Sequence, residues 1–415
     1  MTLEVFVPKG GAGRLAIQSC SRMPDPEKGF GFQEGVYHNL SPLELASQCA
    51  AGVAKKLAGF NPDMMTGVIL TCANPTGAQN FTGRTIANKL GWNKAWGNLV
   101  NQLCMSGLRG IMDAANMING GIVYDAKQPV VIAVVGAEKM SECRLNKIFE
   151  RDYSSDAMKM LGIEAMAMGY TAEMTADRFN ISEEECNRLA ILENRRMRKA
   201  CQEGWFKDEI VPVEVNGKSI DQDALPEELT EEIIAAKKKY FFRSPKKGGK
   251  LNQFTSSQMS DGSATIILCN SAALEKYGWI PMARLVGGAI GTVDPKFMGE
   301  GLISAFENYL KLTGYFDSNQ FLVEKFLEKY KKLELNTAFA SVPLALMKKY
   351  NIPDTFINVA GGATTPIGHP LGATGVRLAV TLLHLLIRFK EQYGYAGACV
   401  GEGQGGGVGF ENKIL

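Results

Sequence analysis

The chain has 415 residues, 46% of them hydrophobic and 21% charged, too many for one ordinary core and enough apolar material for two or three domains or one large duplicated one. Its 45 lysines and arginines nearly cancel 43 aspartates and glutamates, so no whole-molecule field points to nucleic acid or an anionic membrane as a partner. Nine scattered cysteines without a CxxC pair predict reduced thiols and no metal site, in a chain too long to need disulfide staples.

The first residues, MTLEVFVPKGGAGRLAIQS, lack a basic segment followed by an apolar one, and no apolar run reads as long enough to span a bilayer. A soluble, cytoplasmic protein is the expectation. From there the pattern alternates: helix over 41–59, strand over 66–73 (TGVILTCA), helix over 81–91, strand over 98–104 (NLVNQLC), helix over 106–120 and strand over 128–138 (QPVVIAVVGAE). Near-continuous apolar strands between helices predict α/β layering over a buried sheet. Residues 141–250 then turn rich in Met, Glu, Lys and Arg, with helical periodicity in ISEEECNRLAILENRRMRKACQEG and ELTEEIIAAKKKYFF, and read as an inserted, mainly helical segment. Strand character resumes in SDGSATIILCN, and ARLVGGAIGTV begins a second α/β half. The expected division is 1–140 completed by 251–282, an insertion at 141–250, and a second half at 283–415.

The halves share a grammar. LCMSGLRGIMDAANMI is followed by VVIAVVG, and GHPLGATGVRLAVTLLHLLIRF by GACVGEGQGGGVGF: a reactive-looking residue, small residues, an apolar helix, then strands. A duplicated fold would set the two helix N-termini side by side at the centre of the molecule.

Four stretches carry candidate chemistry. Cys104 precedes Ser106 and Gly107 at a helix mouth, where exposed N–H groups lower a thiol pKa from about 8.5; otherwise it is a small buried hydrophobe. His369 lies in NVAGGATTPIGHPLGATG, either a proton donor and acceptor near neutral pH or simply a histidine in a glycine-rich loop. His384, among leucines at helical spacing, reads as packed; His38 carries no motif. Cys399 precedes glycines whose amides can converge on an oxygen, although a buried hairpin explains them equally well. Asn336, alone, reads as a helix cap.

Together, in this order, CMSG at 104, NTAF at 336, GHP at 368 and CVG at 399 resemble the signatures of the thiolase family, and the similarity extends from about residue 43 onward. The resemblance implies a duplicated α/β thiolase fold in five αβαβα layers with an inserted, mainly helical loop domain. It implies cleavage of a 3-oxoacyl-CoA by coenzyme A, or the reverse Claisen condensation, with Cys104 as acyl-carrying nucleophile, His369 activating it and Cys399 as acid/base at the α-carbon. One oxyanion hole would use His369 and a water on Asn336, the other the amides of Cys104 and Gly401. Coenzyme A would be a co-substrate, with no tightly bound cofactor, held by the cluster Arg243, Lys246, Lys247 and Lys250 and by Ser257. The implied assembly is a homodimer or homotetramer, with a small accessory subunit as a further partner.

The sequence departs from the family pattern at Thr337, where a carboxylate is usual, at Met105 and at Glu402. A shortened stretch over 139–162 favours a dimer, and MKMLGIEAMAMG suits a bulky acyl group or ordinary helix packing. The rival readings are a decarboxylating condensing enzyme of the ketoacyl-synthase kind and a non-catalytic thiolase-like subunit.

Overall fold

The protein's structure, a computed structural model, describes residues 4–16, 18–19, 35–37, 39–74, 82–120, 127–142, 167–240 and 242–415, with 125, 160 and 162 as single positions. His38, most of the shortened 139–162 stretch and most of MKMLGIEAMAMG lie outside the described residues.

Nine strands form the spine of one continuous sheet, in the order Tyr330–Leu335, Tyr393–Val400, Gln404–Asn412, Pro281–Thr292, Val5–Pro8, Ser260–Asn270, Val131–Lys139, Gly67–Thr71 and Trp96–Val100. Val5–Pro8, the first strand of one half, joins Pro281–Thr292, the first of the other, in antiparallel register. On either side of that joint the connectivity repeats. Gly67–Thr71 pairs parallel with Val131–Lys139, as Tyr330–Leu335 does with Tyr393–Val400, and each partner then pairs antiparallel with the next strand. The outer parallel strand Trp96–Val100 has its counterpart in a single parallel bridge between Leu333 and Ile357. The duplication is therefore visible in topology where letter identity is weak.

Helix layers follow from burial. Pro42–Lys55 and Gly83–Lys89 cover the outer face of the first half through Leu45, Cys49, Val53 and Ile86. Gly301–Leu312 and Ser341–Tyr350 cover the outer face of the second through Leu302, Phe306, Val342 and Leu346. Ser106–Asn119 and Leu371–Phe389 lie between the halves, sharing one apolar core with strands of both. Helix, sheet, helix, sheet, helix gives the five layers. Leu371–Phe389, with a mean hydropathy of 1.4, is long and apolar enough by composition to cross a membrane, contrary to the sequence expectation; its apolarity is accounted for by burial on nearly all sides.

The two central helices meet at glycines. A Cβ on Gly107 would run into the Val376 amide, and one on Gly375 into the Leu108 amide, so the backbones approach closer than any side chain allows.

The insertion leaves the sheet after Val131–Lys139 and returns in Ser260–Asn270, which pairs with that same strand from Asp261↔Lys139 to Cys269↔Val131. It holds helices Met168–Arg178, Glu183–Gln202 and Glu231–Lys237 and a short hairpin, Val213–Val215 with Lys218–Ile220. Ser182 and Glu185 form a reciprocal capping box at the start of its longest helix, a device contributing about 1 kcal/mol. Arg14, on the first half, anchors the insertion through Glu209 at 2.6 Å and a two-pronged pair with Asp223 at 2.7 and 2.6 Å, all buried. Removing one partner of such a buried pair costs about 3–5 kcal/mol.

Gly107→Ala is expected to destabilise the protein by about 1–3 kcal/mol, the usual cost of overpacking, read as a lowered denaturant midpoint. A midpoint equal to wild type would show that the helices have room to separate.

Candidate active site

The strand expected to reach Cys104 stops earlier, at Val100, and the chain enters a tight turn, Leu103–Met105. Local hydrogen bonds explain the stop. Asn101 Oδ1 accepts from Leu103 N at 3.1 Å, the buried Ser106 hydroxyl accepts from Gln102 N at 2.8 Å, and that hydroxyl donates to Leu103 O at 2.7 Å. Leu103 is held at φ +48°, a left-handed conformation that a branched side chain rarely adopts and that tends to mark functional turns. Cys104 follows it, half-buried, at the mouth of Ser106–Asn119.

The turn that holds Cys104 packs against Gly401 through Leu103, and the amides of Cys104 and Gly401 lie where they favour a thiolate on the Cys104 sulfur. Gly401 directly follows Tyr393–Val400, the strand that carries the buried Cys399. Cys399 lies near enough for charge on Cys104 to push its thiol further up, beyond the rise that burial imposes. The turn between this strand and Gln404–Asn412 requires left-handed backbone at Glu402 (φ +65°) and Gly403 (φ +74°). Glu402 is exposed there. Met105 is fully buried in the central core, its thioether packed over Gly406, so it fills core and does not shape a pocket.

His369 enters from the second half, two residues before Leu371–Phe389. Its Nδ1 lies 2.6 Å from the Thr374 hydroxyl, which donates to Pro370 O at 3.0 Å, so Nδ1 carries the proton. Nε2 is then the acceptor, facing the amide nitrogen of Asn336 at 3.3 Å. Asn336 sits just past Tyr330–Leu335, its backbone N–H donating to Gly397 O at 2.9 Å and its side-chain Oδ1 buried without a partner among the described residues. It is not a helix cap. Burial, reinforced by the charge of Arg377, depresses the His369 imidazole to about 3.

Burial also pushes the Cys104 thiol up to about 12, outweighing the two amides and assisted by the nearby Glu138 carboxylate. Both outcomes reverse the expectations of a lowered thiol and a histidine titrating near neutrality. A helix mouth lowers a thiol pKa when solvent shares the stabilisation of the anion; here the surrounding protein removes that solvent. The free protein therefore holds a neutral thiol and a neutral imidazole, without a hydrogen bond between them among the described residues.

Glu138, Thr374 and Glu193 were not singled out from sequence. Glu138 accepts from Gly372 N at 2.8 Å, fixing the start of the histidine's helix, and from the amides of Ala73 and Asn74. Thr374, five residues beyond His369 in sequence, was the most accessible of the three signals. His384 is packed as expected, its Nε2 near Ala12 O at 3.3 Å.

The proposed coenzyme contacts separate into two groups. Arg243 and Lys250 both pair with Asp177, Lys250 at 2.8 Å, while Lys246 and Lys247 stay exposed in the turn Pro245–Lys247. Ser257 instead borders the site: its amide donates to Ala338 O, and the neighbouring Gln258 bridges to Ala363 and to the His369 amide.

Models of the thiolase N-terminal domain and the thiolase C-terminal domain match residues 27–272 and 279–412. The chain belongs to the thiolase family. It is 31% identical over 395 residues to a Bacillus subtilis 3-ketoacyl-CoA thiolase, covering 91% of this chain and 95% of the relative. Against an acetyl-CoA acetyltransferase from Shinella zoogloeoides it is 31% identical over 392 residues, covering 90% and 94%. Crystal structures of human mitochondrial 3-ketoacyl-CoA thiolase superpose with a TM-score of 0.82 at 25% identity over all of both chains, and, in complex with CoA, 0.80 at 27% over 99% of each. This thiolase is accordingly an acyltransferase, of a family that uses coenzyme A as substrate.

A resting thiol near 12 predicts that alkylation of Cys104 by iodoacetamide accelerates with pH to at least about pH 10 without levelling. Peptide mass spectrometry reads it, and a plateau below pH 8 would refute the raised thiol.

Proposed function

We propose that the protein cleaves a 3-oxoacyl-CoA with coenzyme A, or runs the reverse condensation, through an acyl-Cys104 intermediate. The observation that carries this reading is the meeting of the Cys104 turn with the strand end that holds Cys399 and Gly401, while the His369 imidazole, held by Thr374 and facing Asn336, enters from the other half.

In cleavage, His369 Nε2 takes the Cys104 proton as the sulfur attacks the 3-oxo carbon. The oxyanion that forms there is suited to the amides of Cys104 and Gly401, which lie beside the reacting sulfur. Collapse breaks the bond between C2 and C3 and leaves its electron pair in an acetyl-CoA enolate. The newly formed Nε2–H of His369 and a water on Asn336 are placed to stabilise the enolate oxygen; the unpartnered Asn336 Oδ1 supports a polar guest there. The Cys399 S–H gives its proton to C2. Its thiolate then takes the proton of incoming coenzyme A, whose sulfur attacks the acyl-Cys104 and releases the shortened acyl-CoA, while the departing Cys104 sulfur recovers its proton from His369 Nε2. A resting pKa of about 3 at His369 does not prevent the first step, because negative charge developing on substrate oxygen pairs with the imidazolium as it forms.

For the acyl group, the reading extends to a bulky or irregular chain. Met168, whose thioether lies against Gly401, supports it by bringing a flexible, polarisable side chain to the edge of the site. The retained Cys399 favours thiolase chemistry over decarboxylative condensation, which makes its carbanion without a base.

Acetyl-CoA is expected to add one acetyl group to the wild type, seen by intact mass, and none to Cys104→Ser; an adduct persisting in that variant would remove Cys104 from its role. Cys399→Ala should keep that acetylation while cleavage of acetoacetyl-CoA falls by roughly 10² or more, the scale of a lost general acid/base. Wild-type cleavage by the alanine variant would make Cys399 structural and end the two-cysteine mechanism.

A further inference from the structure

The sequence suggested that Thr337, next to Asn336, deprives the site of a carboxylate. The structure places one there nevertheless, from a distant part of the chain. Glu193, on the inserted helix Glu183–Gln202, is fully buried against the Thr337 hydroxyl. We propose that Glu193 is a positioning residue for the reaction, a buried carboxylate that ties the Asn336 loop and the His369 loop together and holds both against the insertion. The inference rests on the roles given above to Asn336 and His369.

Four donors converge on this one side chain. Thr337 Oγ1 donates to Oε1 at 2.5 Å and Asn358 Nδ2 to the same oxygen at 2.9 Å. The Thr364 hydroxyl donates to Oε2 at 2.5 Å, and the Thr364 amide reaches it at 3.4 Å. Thr337 itself accepts from Asn358 Nδ2 at 2.9 Å, closing a triangle. Asn358 locks onto the strand before Asn336, accepting from Leu335 N at 2.8 Å and donating to Leu335 O at 3.0 Å. The carboxylate thus joins both ends of the frame on which the Asn336–His369 contact is built.

Backbone shape points to the same fit. Any Cβ on Gly362 would collide with the Glu193 carboxyl group, so the loop leading to His369 is moulded around it. Gly361, at φ +99°, likewise abuts Met197 one turn along the same helix. A carboxyl group with four donors is an acceptor at both oxygens; an amide of the same size accepts at only one and would set its own N–H groups against a donor. Misplacement of reacting groups by an ångström costs up to about 10² in rate.

The test measures acetylation of Cys104 by acetyl-CoA at saturating and subsaturating concentrations, in the full chain. Glu193→Gln is expected to slow the saturating rate by about tenfold or more while the half-saturating concentration moves by less than about twofold, since the side chain supports Asn336 and His369 and contacts no coenzyme in this reading. Glu193→Ser combined with Thr337→Glu moves the carboxylate across the contact at nearly constant volume, and should react at least about fivefold faster than Glu193→Ser alone. If Glu193→Ser alone does not fold, folding and acetylation of the combined variant beside a slowed Glu193→Gln carries the same support. A Glu193→Gln enzyme within about twofold of wild type, a loss that only tracks unfolded protein, or a combined variant without activity would overturn the proposal. A wild type that is not acetylated on Cys104 would instead sink the thiolase mechanism above, and this inference with it.

Discussion

The glycine contact between the two central helices is the constraint on which the site depends. Gly107 and Gly375 let the backbones of Ser106–Asn119 and Leu371–Phe389 touch, and the turns that precede those helices carry Cys104 and His369. Each turn is the end product of its own half, set by the same succession of strand and helix. Neither half has a site alone. The pseudo-symmetry also accounts for a division of labour at the ends of the matching strands. Near the end of Val131–Lys139, Glu138 accepts from the Gly372 amide and so holds the helix of the other half. Near the end of Tyr393–Val400, Cys399 lies beside the turn of the first half. One copy of the position is an anchor and the other, in the proposed mechanism, the acid/base.

Burial is the second constraint, because it favours the neutral forms of Cys104, His369, Cys399 and Glu334. Glu334, one strand residue from the Asn336 loop, is pushed to about 8 by loss of solvent, and the buried Arg377 of the helix that follows His369 adds its field to the desolvation of the imidazole. These groups neighbour one another electrostatically without a hydrogen bond between them among the described residues. The consequence is a site that rests neutral. A thiol at about 12 next to an imidazole at about 3 has almost no tendency to ionise by itself, so the reactive anion is a property of the complex with substrate, which brings the oxygen on which negative charge can settle. Such an arrangement spares the sulfur from adventitious alkylation and oxidation, both of which require the thiolate.

The sequence made the alternation of apolar strands and helices legible, and with it the two halves, because buried parallel strands are read directly from apolar runs. Cys104, His369 and Cys399 stood out through the small residues around them, and Asn336 only through the family motif NTAF. Three things were hidden for definable reasons. The strand toward Cys104 ends at Val100, since the left-handed Leu103 is imposed by side-chain bonds from Asn101 and Ser106 that no periodicity encodes. The direction of the two pKa shifts depends on how much protein covers the turn, which the helix-mouth argument cannot supply. Glu193 was read as part of an amphipathic helix, where an acidic residue ordinarily faces water; only the folded chain reveals that its face of the helix abuts Thr337 and Thr364.

That last case bears on what the insertion is for. Its two ends are neighbours in the sheet, Lys139 opposite Asp261, so its excursion of more than a hundred residues starts and finishes at one place in the first half. Polar attachments of the insertion near the chemistry reach the second half: Glu193 to the loops after Leu335 and before His369, Arg196 to the Ile357 carbonyl at 2.8 Å, and Ser257 and Gln258, just before the returning strand, to Ala338, Ala363 and the His369 amide. A segment fixed in one half and bonded to the other resists their sliding past each other. The continuous sheet and the glycine crossing bring Cys104 and His369 into the same region, and the insertion adds a further connection between the halves at the loops that carry Asn336 and His369.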